Sequence, residues 1–158
     1  RRVGLGFFTT AKQCQHAHQI IAATPDRIFD HFEDPNAWTV WAMPITKVVW
    51  TSDKPYTIGS TRTVHMRGGL IGYEEFLAYD RGRHMAFRFN EVSKPGIGAF
   101  AENYVVTPLD ERRSLVEWTM AMESTGPGAR LSTATDPLVG AGLRHMLRQF
   151  KKYVEGRP

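Results

Sequence analysis

The last stretch of the chain, residues 136–154, constrains the fold most, because it reads as one long amphipathic helix. Asp136 is a preferred N-cap residue, and Pro137 suits the first helical position, where a missing N–H costs nothing. Apolar side chains then recur at helical spacing and form one stripe, made of Val139, Leu143, Met146, Leu147, Phe150 and Val154. Such a stripe must pack on another layer of structure. We predict that the preceding residues supply that layer.

Most of the chain before this helix shows the two-residue period of β-strands. We predict seven strands, at residues 15–22, 45–51, 60–66, 73–79, 84–92, 99–108 and 114–124. Two short helices should follow the first strand, because Thr24-Pro25 and Asp34-Pro35 each join a capping residue to a proline. The predicted fold class is therefore α+β, with a curved antiparallel sheet gripping the C-terminal helix.

The length of 158 residues fits a single domain. We place that domain at residues 16–158. Residues 1–15 show no sustained period, and we expect them to form a loose N-terminal extension. The first eight residues faintly resemble a signal peptide. Their apolar part is short and polar residues follow at once, so we expect no targeting role.

Composition excludes several classes of function. One cysteine, Cys14, excludes an internal disulfide and a cysteine-rich metal site, and it fits a cytoplasmic protein. The net charge of +4 comes without a basic run among aromatics, so we expect no nucleic-acid partner. No apolar run has the length of a membrane span, so we expect no stable membrane insertion. His16 and His18 share a strand face without an evident third ligand, and we expect neither a metal nor a cofactor.

Two parts of the sequence resemble a known family. The run from His18 to Trp38 carries Ala23-Thr-Pro25, Ile28-Phe29 and Asp34-Pro35-x-x-Trp38. It is similar to the opening of the START-like (SRPBCC, Bet v 1-like) superfamily, in particular its polyketide cyclase/dehydrase and lipid-transport branch. The segment 79–85 resembles the family's "Y-x-P-G-R-x-L" hairpin, with Arg81 in place of the proline. The resemblance covers about residues 16–155.

The resemblance implies a helix-grip fold, in which a seven-stranded sheet surrounds the C-terminal helix and leaves a hydrophobic cavity. Members of the family bind lipids, sterols, hormones or polyketides, and some cyclise polyketides. The side chains that we expect to bind the ligand in such a cavity are Trp41, Trp50, Arg62, Phe76, Phe87, Phe89, Trp118, Met120, Met122, Leu143, Met146 and Phe150. Large rings and thioethers suit an irregular apolar ligand. The alternative is that they simply fill a core.

Strand parity points three charged side chains into the same interior. Arg62 shares its face with Val64, Glu74 with Phe76 and Ala78, and Glu102 with Tyr104. An inward carboxylate near Arg62 would anchor a polar group of a ligand or act as a general acid or base, so the candidate catalytic residues are Glu74, Tyr104 and Glu102. The alternative is a strand end where the side chain reaches water. A one-residue bulge would reverse these orientations.

The leading hypothesis is the binding of a small hydrophobic or amphipathic ligand in a central cavity. The rival is a polyketide cyclase/dehydrase-type enzyme that moves protons through an inward acid or base. A third hypothesis is a module that passes a lipid or quinone to a membrane partner. A sheet edge or the outer sheet face would allow a homodimer.

Overall fold

The computed structural model describes residues 1–130 and 132–157. Its strands are β1 (Gln13–Ile21), β2 (Ile45–Trp50), β3 (Thr61–Met66), β4 (Ile71–Asp80), β5 (His84–Val92), β6 (Ile97–Pro108) and β7 (Ser114–Ser124). Its α-helices are α1 (Phe7–Thr10), α2 (Pro25–Glu33), α3 (Pro35–Trp41) and α4 (Ser132–Glu155), and a 3-10 helix spans Gly126–Arg130.

The seven strands form one antiparallel sheet in the order β1-β7-β6-β5-β4-β3-β2. The first two strands of the chain are thus the two edges, and the chain crosses between them through α2 and α3. Helix α4 packs against β1 and α3. Leu143, Leu147, Phe150 and Val154 on its apolar stripe are completely buried in the main core. The prediction of an α+β helix-grip is confirmed.

Both predicted capping signals after β1 act as expected. The Thr24 hydroxyl accepts a hydrogen bond from the backbone N–H of Arg27, and the Asp34 carboxylate accepts one from Asn36. The Trp38 indole N–H donates to the backbone oxygen of Phe32 over 2.8 Å, which ties α3 to the end of α2. These bonds hold the face of α3 that carries Trp38 toward the sheet.

The predicted start of the last helix is wrong. Helix α4 begins at Ser132, and Pro137 lies inside it. Asp136 is not its N-cap, and it accepts a hydrogen bond from the Gln13 side chain over 2.7 Å. A proline inside a helix removes one backbone hydrogen bond, so a capping residue followed by proline favours a helix start without requiring one. The helix lies against the edge strand β1 at this point.

The first fifteen residues differ from the expected loose extension. Strand β1 starts at Gln13, and Val3 and Phe7 are buried in a second, smaller cluster with Ala99, Ala101 and Ala121. These alanines lie on the outer face of β6 and β7, so the N-terminal segment covers part of the sheet surface that faces away from α4. Four helical residues, Phe7–Thr10, are too few to show a helical period in the sequence.

Two irregularities in the β4–β5 pairing decide which side chains face the interior. Glu74 lies opposite Phe89 and Phe76 opposite Phe87, as parity predicts. The register then shifts between Phe76 and Ala78, so that Tyr79 packs against the main core. The prediction that Ala78 shares the inward face of Glu74 and Phe76 is therefore wrong, because the extra residue in this bulge exchanges the inward and outward faces beyond it.

None of the helices in the described ranges is long and apolar enough to cross a membrane.

Candidate functional site

A charged group lies in the middle of the aromatic core. Arg62 on β3, Glu74 on β4 and Glu102 on β6 expose at most 8% of their surface, and Tyr104 exposes none. The register explains how they meet. Arg62 faces Glu74 on the next strand, and one row further along the sheet Phe87 of β5 faces Glu102. The inward orientation predicted for all four side chains agrees with this geometry.

Arg62 is held by one carboxylate and several rings. Its Nε donates to Glu74 Oε2, while its Nη1 has no hydrogen-bond partner among the described residues. Its Cζ lies 4.4 Å from the ring centroid of Trp38 and 4.6 Å from that of Phe87. The rings of Trp50 and Phe76 follow at 5.2 and 5.3 Å. Cation–π attraction of this kind strengthens when water is excluded, so the rings help to stabilise the buried charge.

The two buried carboxyl groups have different partners. Burial raises the pKa of Glu74, and the adjacent Arg62 opposes that rise. Burial also raises the pKa of Glu102, to about 8, and the nearby charge of Glu74 adds to the effect. The Tyr104 hydroxyl donates to Glu102 Oε2 over 2.9 Å, and the pKa of Tyr104 itself is raised by burial. One arginine therefore balances one carboxylate, and Glu102 is mostly protonated at pH 7.

Aromatic side chains from the helices close over this group. The rings of Trp38 and Trp41 on α3 lie 4.8 Å apart, and Trp41 lies 4.9 Å from Phe150 of α4. Trp118 of β7 stacks on Tyr104 at 5.3 Å. Rings thus occupy the space between sheet and helix beside Arg62. A ligand reaching the charged group must displace rings of α3 or α4, and the existence of an open cavity stays a prediction.

The four tryptophans fall into two pairs. The indole N–H groups of Trp38 and Trp50 donate to the backbone oxygens of Phe32 and Glu33. Those of Trp41 and Trp118 are buried and have no hydrogen-bond partner in the described structure. The Trp118 N–H still lies close enough to Glu102 to lower the pKa of that carboxyl against the larger effect of burial. A buried N–H without an acceptor costs stability, so Trp41 is the unusual member of the set.

Replacing Trp38 by phenylalanine should therefore lower the free energy of unfolding more than the same change at Trp41. Both changes shrink a buried ring, but only Trp38→Phe removes a satisfied hydrogen bond and leaves the Phe32 oxygen unpaired, which costs about 1–3 kcal/mol. Urea unfolding of the two variants measures this difference. Equal losses would show that the Trp41 N–H is satisfied in solution.

Most of the predicted ligand-binding residues come together around this group. Those in the main core or packed against it are Trp41, Trp50, Phe76, Phe87, Trp118, Met120, Leu143, Met146 and Phe150. Two lie apart from it. Phe89 is buried, but it stacks on Phe100 at 4.4 Å and covers Gly72. Met122 lies opposite Phe100 on the neighbouring strand and is half-buried outside the main core. Parity predicts the inward orientation of both side chains correctly, but the two residues lie near the C-terminal ends of β5 and β7.

Sequence reasoning misses the part played by two residues. Periodicity identifies Trp38 only as a helix residue, yet its ring is the nearest to Arg62. Glu33 at the end of α2 is 8% exposed and accepts hydrogen bonds from Tyr79 over 2.5 Å and from Lys54 over 2.8 Å. These contacts lower the pKa of Glu33 against the opposing effect of burial. These contacts join distant segments of the chain, so no local period in the sequence predicts them.

The family described as "Polyketide cyclase / dehydrase and lipid transport" matches residues 13–155 of the chain. An uncharacterized protein of Mycobacterium tuberculosis is 43% identical over 156 residues, which is 99% of this chain and 93% of that protein. An uncharacterized protein of Mycobacterium bovis matches with the same identity and the same coverage.

Solved structures share the fold at low identity. A protein from Thermus thermophilus has a TM-score of 0.71 at 18% identity, covering 90% of this chain and 97% of that one. A START superfamily protein from Mycobacterium smegmatis gives 0.67 at 13%, covering 91% and 95%. The Zhui aromatase/cyclase from a Streptomyces species gives 0.66 at 16%, covering 91% and 93%. The family match supports hydrophobic ligand binding or cyclisation in general terms, and the solved structures show that the fold is shared.

Proposed function

Since the chain belongs to the polyketide cyclase/dehydrase and lipid transport family, we propose that it binds a small apolar or amphipathic molecule between the sheet and helix α4. The polar end of that molecule lies at Arg62, Glu74 and Glu102. The observation that carries this proposal is the charged group itself, which is buried among rings although no such group is needed to fill a core.

The energetic cost of this group supports a role in binding. A buried ion pair is often no more stabilising than apolar side chains of the same volume, because desolvation offsets the attraction. Protonated Glu102 adds a third polar side chain to a layer that Phe76, Phe87 and Met120 otherwise make apolar. Polar groups that orient a ligand within a largely apolar site have this arrangement.

The rings beside the group determine how a ligand reaches it. Trp41 belongs to the seven-residue helix α3, and Phe150 belongs to α4. A shift of α3 relative to α4 would separate these two rings and would give access to Trp118 and Tyr104 without breaking a strand pair. The apolar area of the displaced rings is then buried against the ligand at roughly 25 cal/mol per Å², before the costs of association.

Native mass spectrometry of the purified protein, followed by solvent extraction, tests the proposal. We expect a co-purifying apolar molecule at up to one equivalent, or saturable binding of 2-acetylnaphthalene by equilibrium dialysis when the protein is purified empty. The matched control is Glu117→Gln on the exposed outer face of β7, which should bind as the unchanged protein does. Neither a co-purifying molecule nor saturable binding up to the solubility limit of the probe would contradict the proposal.

A second candidate function, cyclisation or dehydration of a polyketide, is favoured by Glu102. A carboxyl group with a pKa of about 8 holds its proton at neutral pH and can both give and take one. Glu74 is a weaker candidate than Glu102, because its carboxylate is engaged by Arg62. The solved neighbours include the Zhui aromatase/cyclase and the di-domain aromatase/cyclase BexL.

If this second function holds, Glu102→Gln should lower turnover of a linear poly-β-ketone substrate roughly 100-fold or more while leaving its affinity similar. Glutamine keeps the shape and accepts the Tyr104 hydrogen bond, but it cannot transfer a proton. Product formation followed by mass spectrometry, with Glu117→Gln as the control, measures the effect. Equal turnover in the two variants would exclude Glu102 as the acid or base.

A further inference from the structure

The buried side-chain polar atoms that lack a hydrogen-bond partner among the described residues are all of one kind. Within residues 1–130 and 132–157, the buried side-chain nitrogen and oxygen atoms without a hydrogen bond are Trp41 Nε1, Trp118 Nε1 and Arg62 Nη1. All three are donors. A guanidinium and an indole cannot accept a hydrogen bond, so they can be satisfied only by an acceptor that comes from outside this set.

Two of these donors lie against the same ring. The Arg62 guanidinium lies 4.4 Å from the ring centroid of Trp38, and the Trp41 ring lies 4.8 Å from it. They come from β3 and α3, which face each other across the interior. Trp118 packs edge-on against Trp41 at 5.9 Å, but its N–H already lies beside Glu102, which leaves Trp41 and Arg62 as the donors available to a ligand. The side chains that carry these two donors therefore both contact Trp38.

The charges around these donors are already matched. Arg62 carries one positive charge, and Glu74 neutralises it through a direct hydrogen bond. Glu102 lies in the next row and is influenced by the charge of Glu74. A carboxylate or phosphate ligand would bring a further negative charge close to two buried carboxyl groups. Burying an unmatched charge is far more costly than burying a neutral acceptor.

We propose that the ligand of this site is an uncharged molecule that presents one or two acceptor oxygens, as a ketone, quinone or ester does, to Trp41 and Arg62. This inference rests on the proposed function and deepens it by naming the ligand class. Fatty acids and other anions are excluded by charge, and hydrocarbons are disfavoured because they leave the donors unpaired.

Three probes of one shape separate these classes. In 2-acetylnaphthalene the side group is a ketone, in 2-isopropenylnaphthalene the same position carries a CH2 group in place of oxygen, and in 2-naphthoate it is a carboxylate. Equilibrium dialysis at pH 7 gives their dissociation constants. We expect the ketone to bind at least tenfold more tightly than either of the other two, a difference of about 1.4 kcal/mol.

Two tryptophan variants show which indole N–H donates a hydrogen bond to the oxygen of the ketone probe. Trp41→Phe removes an unpartnered donor and should lower the ketone-to-alkene affinity ratio at least threefold. Trp38→Phe removes an N–H that already bonds the Phe32 oxygen, so it should change the affinity for both probes by a common factor. Trp50→Phe removes an N–H that bonds the Glu33 backbone oxygen, and it serves the same purpose if the Trp38 variant does not fold.

The outcomes separate this inference from the function on which it rests. Binding of ketone and alkene with equal affinity, or tighter binding of naphthoate, overturns the inference and leaves the proposed function in place. An unchanged ratio in Trp41→Phe also overturns it. Absence of saturable binding for all three probes overturns the inference, and it contradicts the proposed function as well when no apolar molecule co-purifies with the protein.

Discussion

Replacing Arg62 by methionine should lower the free energy of unfolding by about 3–5 kcal/mol, because the change leaves the buried Glu74 carboxylate without its partner. Methionine fills much of the space between Trp38 and Phe87, so the loss comes mainly from charge. Burial then raises the pKa of the lone Glu74 further above its value in the unfolded chain. The loss should therefore shrink as the pH falls from 7 toward 5, because protonation of Glu74 removes the unpaired charge.

A matched pair of variants separates charge from packing. In Arg62→Met combined with Glu74→Leu, no charge remains unpaired, and most of the lost stability should return. Lys151→Met removes a partly exposed ion pair with Glu155 and a hydrogen bond to the Ile20 backbone oxygen, and it should cost about 1 kcal/mol, well below the loss expected for Arg62→Met. Urea unfolding at pH 5 and pH 7 measures all of these. A double variant no more stable than Arg62→Met would show that the arginine acts mainly through its contacts with the rings.

Replacing Glu102 by glutamine should make the protein more stable at alkaline pH. The native state keeps the Glu102 proton up to a pKa of about 8, whereas the unfolded chain releases it near its ordinary value. Between those values, stability falls by up to about 1.4 kcal/mol for each pH unit. Glutamine cannot ionise, so the variant escapes this loss and should gain about 4 kcal/mol over the unchanged protein by pH 8.

The difference in free energy of unfolding between Glu102→Gln and the unchanged protein separates the effect of Glu102 from that of the other titrating groups. Its value should be small near pH 5 and should increase steadily toward pH 8, as measured by urea unfolding in a series of buffers. Glu117→Gln, on the outer face of β7, should show no such increase. Parallel stability curves for Glu102→Gln and the unchanged protein would mean that Glu102 is ionised throughout this range, and the charge balance drawn for the site would be incorrect.

Much of the site could be predicted because it lies on regular strands. Alternation alone orients Arg62, Glu74, Glu102 and Tyr104 inward, and strand neighbours then bring them together. The bulge after Phe76 is harder to foresee, since nothing in the local sequence marks the residue at which the register shifts. It decides that Tyr79 faces the core and reaches Glu33.

Other features depend on contacts between distant parts of the chain. The start of α4 is four residues before Asp136, because a helix can accommodate Pro137 at the loss of one hydrogen bond. The backbone carbonyls that α3 and β2 meet on folding determine which tryptophan N–H groups have a hydrogen-bond acceptor. No period in the sequence predicts these contacts. The pKa of Glu102 likewise depends on the burial produced by the finished core.

The most direct test of the ligand site is an amide and indole 15N NMR titration with 2-acetylnaphthalene. The four tryptophans give four indole N–H resonances, which single Trp→Phe variants assign. If the ligand enters between the sheet and α4, the Trp41 resonance shifts saturably and moves downfield as its N–H finds an acceptor. Shifts confined to the outer face of the sheet, around His16 and His84, with the indole of Trp41 unchanged, would contradict a binding site inside the helix-grip.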